Sequence, residues 1–116
     1  MIAVIFEVIP KEENKQEYLD IANKLKPMLE NRDGFISIER FASIQNPSKI
    51  LSLSFWEDEQ AIEKWRNEIM HRKGQASGLK HIFSDYRIRV GQIIRDYGLE
   101  NREEAPKDSN AYHMKS

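Results

Sequence analysis

The sequence predicts one α+β domain in which strands and helices follow the order β-α-β-β-α-β. Three observations support this prediction: two segments carry apolar residues at helical spacing, four β-rich segments alternate with them, and the composition turns polar after Gly98. The chain has 116 residues, of which 40% are hydrophobic, and this suits one domain with its own core. We therefore expect a folded domain over residues 1–97 and a polar C-terminal tail over residues 98–116.

The first two elements are a strand and a helix. Residues 2–9 form an apolar, β-branched run that ends at Pro10, and both alternating sets are mainly apolar, which predicts a strand covered on both faces. The acidic residues that follow suit the positive end of a helix. Pro27 predicts a kink in this helix or the start of its last turn. The apolar residues of the helix lie on one stripe: Tyr18, Ile21, Ala22, Leu25, Met28 and Leu29.

A hairpin, a second helix and a final strand complete the domain. Residues 35–42 and 49–56 have the composition of two strands, and the turn-forming residues 45–48 join them. Asp58 can cap a second helix. Residues 83–94 alternate as a long last strand. The inner stripe of the second helix consists of Ala61, Ile62, Trp65 and Ile69.

This order of elements is typical of a ferredoxin-like fold, with four antiparallel strands and both helices on one face of the sheet. A bare apolar face needs a cover, and a second copy of the chain is the simplest one, so we expect a homodimer. Glu7 and Glu39 could then pair with Arg87 and Arg89, although a one-residue slip would turn Glu7 toward the helices. The bare face is predicted to include Ile5, Glu7, Phe35, Phe41, Ile50, Trp56 and Ile93.

Charge and cysteine content exclude several classes of protein. The 18 basic and 19 acidic residues leave a net charge of −1, which offers no footprint for nucleic acid. The absence of cysteine excludes disulfides and thiolate metal sites, and three scattered histidines do not form a metal site either. No apolar stretch approaches the roughly 20 residues of a membrane helix, and the N-terminus lacks a basic secretory start. We expect a cytoplasmic protein with no membrane partner.

Six segments together resemble the antibiotic biosynthesis monooxygenase (ABM) domain, over about residues 1–97. The resemblance implies a dimeric α+β barrel of two ferredoxin-like protomers, each with a pocket between the sheet and the second helix. It also implies small oxygenases that act on phenolic or quinol substrates without a flavin or metal, enzymes that degrade haem, or members with no known reaction. The segments are residues 2–9, Leu25-Lys26-Pro27-Met28-Leu29, Asp33-Gly34-Phe35, Leu51-Ser52-Leu53-Ser54-Phe55-Trp56, Ala61-Ile62-Glu63-Lys64-Trp65-Arg66 and Phe83-Ser84-Asp85-Tyr86-Arg87-Ile88.

The haem-degrading members pair an Asn of the first strand with a Trp and a His of the second helical region. Trp65 matches that Trp by its place in the segment. The Asn position falls at or near Glu7, however, and the candidates His71 and His81 stand at a different spacing. These departures disfavour haem degradation, in which haem would be the substrate rather than a cofactor.

Trp65 is the most informative single residue. It shares its stripe with Ile62 and Ile69, so it is a core anchor, a pocket wall that stacks on a flat substrate, or both. His71 is a candidate general base if the helix breaks near residues 70–74, and is otherwise a surface histidine. His81 is expected in solvent.

Four further side chains complete the candidate site. Glu7 is a base if burial raises its pKa, or a partner in a cross-strand ion pair with an arginine. Phe6, Phe55 and Tyr86 are core residues by alternation that could also border the cavity and bind substrate.

The leading hypothesis is a small monooxygenase without a cofactor, acting on a planar, electron-rich organic substrate of the phenol, quinol or polyketide kind. Two alternatives stay open. One is a dimeric ligand-binding or stress-related protein that has the fold without the chemistry. The other is a haem-binding or haem-degrading oxygenase.

Overall fold

The computed structural model describes residues 1–72 and 81–115, apart from the side chains of residues 70–72, 114 and 115. The strands and the first two helices follow the predicted order, and a third helix lies in the tail. The elements are β1 (Ile2–Pro10), a 3-10 turn (Glu12–Asn14), α1 (Lys15–Glu30), β2 (Phe35–Ala42), β3 (Ile50–Trp56), α2 (Glu59–Arg72), β4 (Phe83–Gln92) and α3 (Lys107–Lys115).

The sheet has the strand order β2-β3-β1-β4, and every neighbouring pair is antiparallel. β1 and β3 are therefore central, whereas β2 and β4 are edge strands. This is the ferredoxin-like arrangement, and the predicted α+β fold is confirmed. The register places Ile5 opposite Leu53 of β3 and Arg89 of β4, so these three side chains share one face of the sheet.

The core lies between the sheet and the helices and has two parts. Both parts combine residues of β1 and β3 with residues of α1, which is why the helix packs along the sheet. Cluster one contains Ile2, Leu29, Trp56 and Ala61. Cluster two contains Val8, Tyr18, Ile50 and Ile82.

The faces of β3 differ from the predicted assignment. The expectation that Ile50 and Trp56 lie on the bare face is wrong, because both are buried in the core beneath the helices. Ser52 and Ser54 lie between them on the same buried face. Trp56 donates its indole N–H to Ser54 Oγ at 2.9 Å, so the indole keeps a hydrogen bond inside the core.

A β-bulge changes the alternation of β2. The ladder shifts between Phe35 and Ser37, and such an insertion turns the side chains before it to the other face. Phe35 packs against cluster one, where its ring lies 5.3 Å from that of Trp56. Ile36 is 47% exposed. The prediction that Phe35 lies on the bare face is therefore also wrong.

The face of the sheet away from the helices, called the open face below, has an apolar centre. Ile5 of β1 and its partner Leu53 of β3 lie on this face, together with Phe55 of β3. Phe41 lies on the same face toward the β2 edge. Glu7 also belongs to this face, because it pairs with Leu51 in the same ladder. The prediction of an apolar second face is thus confirmed with a different set of β3 residues.

Gly34 and Asp58 fix the two helices relative to the hairpin. Gly34 has φ +81°, and its carbonyl accepts a hydrogen bond from the Glu57 N–H at 2.8 Å. A Cβ added at Gly34 would lie 2.6 Å from Ala61 Cβ, at the start of α2. The Ala61 N–H donates to Asp58 Oδ1 at 2.9 Å, which confirms the predicted cap.

The C-terminal part of the chain leaves the sheet at β4. That strand ends at Gln92, two residues before the predicted end, and Ile93 N–H donates to the Met1 carbonyl at 2.9 Å. The helix α3, which the sequence analysis does not predict, follows after an irregular stretch. Within residues 1–72 and 81–115, no helix has the length and apolar content needed to cross a bilayer.

Candidate functional site

The most prominent apolar surface beside the helices lies on β1 and β4, and we call it the β1–β4 surface. Tyr86, Ile88 and Val90 pair with Val8, Phe6 and Val4, so they point to the same face of the sheet as the helices. They nevertheless remain 57%, 51% and 50% exposed. The β1–β4 surface consists of Val4, Phe6, Tyr86, Ile88 and Val90.

An aromatic group forms one end of the β1–β4 surface. The Phe6 and Tyr86 rings lie 5.8 Å apart, and Phe83 contacts both, at 6.0 Å from Phe6 and 5.9 Å from Tyr86. Tyr18 of α1 packs edge-on against Phe83 at 5.8 Å. These spacings are in the range of attractive ring pairs. Phe83 therefore packs between Tyr18 and the exposed ring of Tyr86.

Trp65 lies in α2 and packs against cluster one. The Arg32 guanidinium stands over its ring, 5.1 Å from the centroid, and also forms an ion pair with Glu68 one turn further along α2. Trp65 is therefore a core anchor with one ring face covered by a cation. A flat ligand could stack only on the other face of the indole.

The structure brings some of the predicted substrate-binding residues together and separates others. Phe6 and Tyr86 are in contact. Trp65 belongs to the neighbouring cluster, which meets the β1–β4 surface at Val4, two residues from Phe6 along β1. Phe55 lies on the open face, where it pairs with Ala3. Phe55 therefore cannot line a site beneath the helices, and its predicted contact would require a different surface.

Glu7 is held in a small charged group on the open face. Its carboxylate lies 3.1 Å from Lys49 Nζ and 3.4 Å from Arg89 Nη1. The hydrogen bond from Lys49 lowers the pKa of Glu7 below its ordinary value, and the charge of Arg89 acts in the same direction. The carboxylate is thus stabilised as an anion, in agreement with the predicted ion pair and opposite to the raised pKa that a general base would need.

The histidine candidates are placed less fully. His71 falls in the last turn of α2, and its side chain lies outside the described part of the structure. His81 is exposed, with Nε2 3.7 Å from Glu17 Oε1, as expected for a solvated residue. Among the described side chains, those of residues 1–69 and 81–113, no three His, Asp or Glu groups converge as metal ligands.

Two surface hollows lie away from the β1–β4 surface. One of about 370 Å³ lies between the end of α1 and the start of α2 and includes Gly34 and Lys64 in its lining. Another, of about 290 Å³, lies on the open face beside Glu7 and Phe41. Charged side chains border both hollows, and neither includes a residue of the β1–β4 surface.

Four residues at or beside the site are not among the candidates predicted from the sequence: Val4, Ile88, Val90 and Arg32. Ile88 and Val90 alternate with the same phase as Tyr86, so the signal was present in the strand pattern. Arg32 carries no such signal, because its contact with Trp65 depends on how the turn after α1 lies against α2 in space.

The comparisons with known proteins agree with this architecture. The family model described as antibiotic biosynthesis monooxygenase matches residues 1–77. The chain is 45% identical over 93 residues to a protein of Pyricularia oryzae named jasmonate monooxygenase ABM. The matched region is 80% of this chain and 43% of that protein, so the chain spans less than half of the relative's length.

Two solved structures share the fold at low identity. A conserved protein from Methanosarcina mazei superposes with a TM-score of 0.68 at 21% identity, covering 78% of this chain and 90% of that one. A heme-degrader of Mycobacterium tuberculosis, solved with two hemes in its active site, superposes with a TM-score of 0.66 at 13% identity, covering 84% and 100%.

Proposed function

Because the chain belongs to the antibiotic biosynthesis monooxygenase family, we propose that it is a monooxygenase that binds a small, largely apolar organic molecule on the β1–β4 surface. The observation that carries the proposal is the 45% identity over 93 residues with a relative named as a monooxygenase. The half-exposed side chains of β4 support the location, since organic ligands bind to mostly apolar surfaces with few polar groups.

Two substrate classes are compatible with this surface. A planar, electron-rich phenol or quinol would stack against the Phe6 and Tyr86 rings, which lie side by side. An alicyclic acid of the jasmonate type would bury its hydrocarbon part on Ile88 and Val90 and leave its carboxylate in water. The aromatic pair favours the first class, and the name of the Pyricularia relative favours the second.

The two classes differ in where the electrons come from. An activated CH₂ group, as in a reduced polyketide ring, reacts with O₂ to give C=O and water, and the substrate supplies every electron. Hydroxylation of an ordinary C–H bond gives an alcohol and water, and needs two electrons and two protons from an added reductant. The proposal therefore needs no resident cofactor for the first class. The proposal also assigns His71 as the base that removes a proton from the substrate to form its anion.

Pairing of two chains through the open face is the second part of the proposal. Ile5, Leu53 and Phe55 give this face an apolar centre that resembles one side of a sheet-on-sheet core. Glu7 already has its charge matched by Lys49 and Arg89, so it can enter an interface without an unpaired carboxylate. Light scattering should give twice the 13.7 kDa chain mass, and Leu53→Glu should give single chains.

The activity is tested with ¹⁸O₂ and mass spectrometry of the products. Pure protein is incubated with an anthrone or quinol alone, and with jasmonate plus a reduced nicotinamide and a reductase. One ¹⁸O atom in the product of either arm supports a monooxygenase and identifies the substrate class. If neither arm gives labelled product above the protein-free reaction, the proposed activity is wrong.

Matched variants test the location of the site. Ile88→Gln places a polar amide in the middle of the β1–β4 surface and should lower kcat/KM about 5- to 20-fold, as expected for losing one apolar contact. Ile36→Gln is the control, since Ile36 is similarly exposed, at 47% against 51%, but lies at the opposite edge of the sheet. Equal effects of the two substitutions would place the site elsewhere.

The same samples decide between the alternatives. A Soret shift with added hemin, followed by bleaching with a reductant, would indicate haem degradation instead. Ligand binding without any labelled product would indicate a binding protein that has the fold without the chemistry.

A further inference from the structure

The C-terminal arm, defined as residues 93–115, is ordered although it has little to pack against. It leaves the edge strand β4 at the hydrogen bond from Ile93 N–H to the Met1 carbonyl. The radius of gyration of the chain is 17.2 Å, against about 13 Å for a compact domain of this length. The extents of 53 × 34 × 21 Å agree with an arm that projects from the domain.

Arg102 organises the arm from within. Its Nη2 donates to Ser109 Oγ at 2.8 Å, its Nε donates to Asn110 Oδ1 at 3.1 Å, and its Nη1 donates to the Gly98 carbonyl at 3.1 Å. The same guanidinium stands 5.0 Å from the centroid of the Tyr97 ring. One side chain therefore ties the irregular stretch to α3 and holds the arm in a defined shape.

The arm exposes the apolar side chains that would normally stabilise such order. Ile94, Leu99 and Tyr112 are 81%, 76% and 80% exposed. Ordering a segment of this length costs conformational entropy that a few surface hydrogen bonds do not offset. A preorganised segment that presents its apolar groups to solvent has the properties of a binding element.

We propose that this arm docks on a second copy of the chain and clamps the pair. The inference rests on the open-face pairing proposed above. Facing sheets stand about 10 Å apart, and the five residues 93–97 can span at most roughly 17 Å when fully extended, so an arm that starts at the sheet edge is long enough to reach the partner. The chain's own β1–β4 surface is not the docking site, since Ile88 and Val90 remain half exposed with the arm in place.

Self-association of the full chain, measured by sedimentation equilibrium, tests the proposal. Leu99→Glu should weaken dimerisation roughly tenfold or more, because a carboxylate would enter a buried contact. Arg102→Lys should act in the same direction, since an ammonium cannot donate to the three partners in the fork geometry. Ile44→Glu is the matched control, because Ile44 is 97% exposed in the β2–β3 connection, and it should leave dimerisation unchanged.

A second readout identifies what the arm contacts. Tryptic cleavage after Arg95 should slow as the protein concentration rises, because docking on a partner protects the arm. Cleavage that is independent of concentration would show that the arm docks on its own domain or on nothing, and would overturn the proposal.

The possible failures can be told apart. If Leu99→Glu and Ile44→Glu dimerise equally well while Leu53→Glu does not, the arm proposal is wrong and the open-face pairing stands. If the unchanged chain is monomeric at every concentration, pairing and clamp fail together. The ¹⁸O₂ assay still decides the activity independently.

Discussion

Gly34 gives the sharpest test of how the two helices are fixed relative to the sheet. Its φ of +81° lies in the left-handed region, where a residue with a Cβ costs about 1–2 kcal/mol. The added Cβ would also stand 2.6 Å from Ala61 Cβ, and such overpacking costs about 1–3 kcal/mol. Gly34→Ala should therefore destabilise the protein by about 2–5 kcal/mol. For a chain of this length, the midpoint of thermal unfolding should fall by about 8–20 °C.

The assay is thermal and urea unfolding followed by circular dichroism, with Gly91→Ala as the matched control. A Cβ at Gly91 meets no atom within 4 Å, and its φ is not positive. The control should stay within about 0.5 kcal/mol of the unchanged protein. If Gly34→Ala and Gly91→Ala have the same unfolding midpoints, the α1–β2 turn does not approach α2 as closely as described, and the reasoning is wrong.

A double-mutant cycle separates the two costs. Ala61→Gly removes the atom that the new Cβ would meet, while it leaves the backbone conformation at residue 34 unchanged. In the presence of Ala61→Gly, Gly34→Ala should be destabilising only through its positive φ. The coupling free energy between the two substitutions should therefore be about 1–3 kcal/mol. A coupling near zero would attribute the whole effect to the backbone.

Three further predictions concern single hydrogen bonds and charges. Asp58→Ala should cost about 1 kcal/mol in urea unfolding by removing the cap of α2, whereas Asp58→Ser should recover most of it; equal stability of the three proteins would contradict the cap. Ser54→Ala should cost about 1–3 kcal/mol because the buried Trp56 indole N–H loses its acceptor, and the exposed Ser37→Ala should cost little. Because the pKa of Glu7 is lowered in the folded state, its ion pairs stabilise the protein fully above pH 4.5. This stabilisation is lost as the pH falls through the pKa of the folded state. In urea at low salt, Glu7→Gln should therefore flatten the pH dependence of stability below pH 4.5; an unchanged profile would show that the ion pairs are not formed.

Most of the fold was predictable because its signals are local. The apolar β1, the α1 stripe and the Asp58 cap each follow from residues close in sequence, and the structure confirms them. The face of β3 was not predictable in this way. Its leucines and serines alternate cleanly, yet the serines lie beneath the helices, because Trp56 and Ile50 at the ends of the strand decide which face is buried.

Other features depend on contacts between distant segments. The bulge that turns Phe35 inward has no strong marker in β2. Lys49 reaches Glu7 across the β1–β3 ladder, whereas only the arginines of β4 were considered as partners from the sequence. Arg32 covers Trp65 because the turn after α1 lies against α2, and the shape of the arm depends on Arg102, whose partners are up to eight residues away.

The distribution of aromatic residues gives the protein two built-in optical reporters. Both tryptophans, Trp56 and Trp65, belong to or pack on cluster one, whereas Tyr18 belongs to cluster two. Indole emission excited at long wavelength therefore follows one half of the hydrophobic interior. The change in tyrosine absorbance on unfolding comes mainly from the other half, because Tyr18 is buried whereas the other three tyrosines are already exposed. If the halves loosen at different denaturant concentrations, the two spectral signals separate without any label, and a single shared midpoint identifies one cooperative unit.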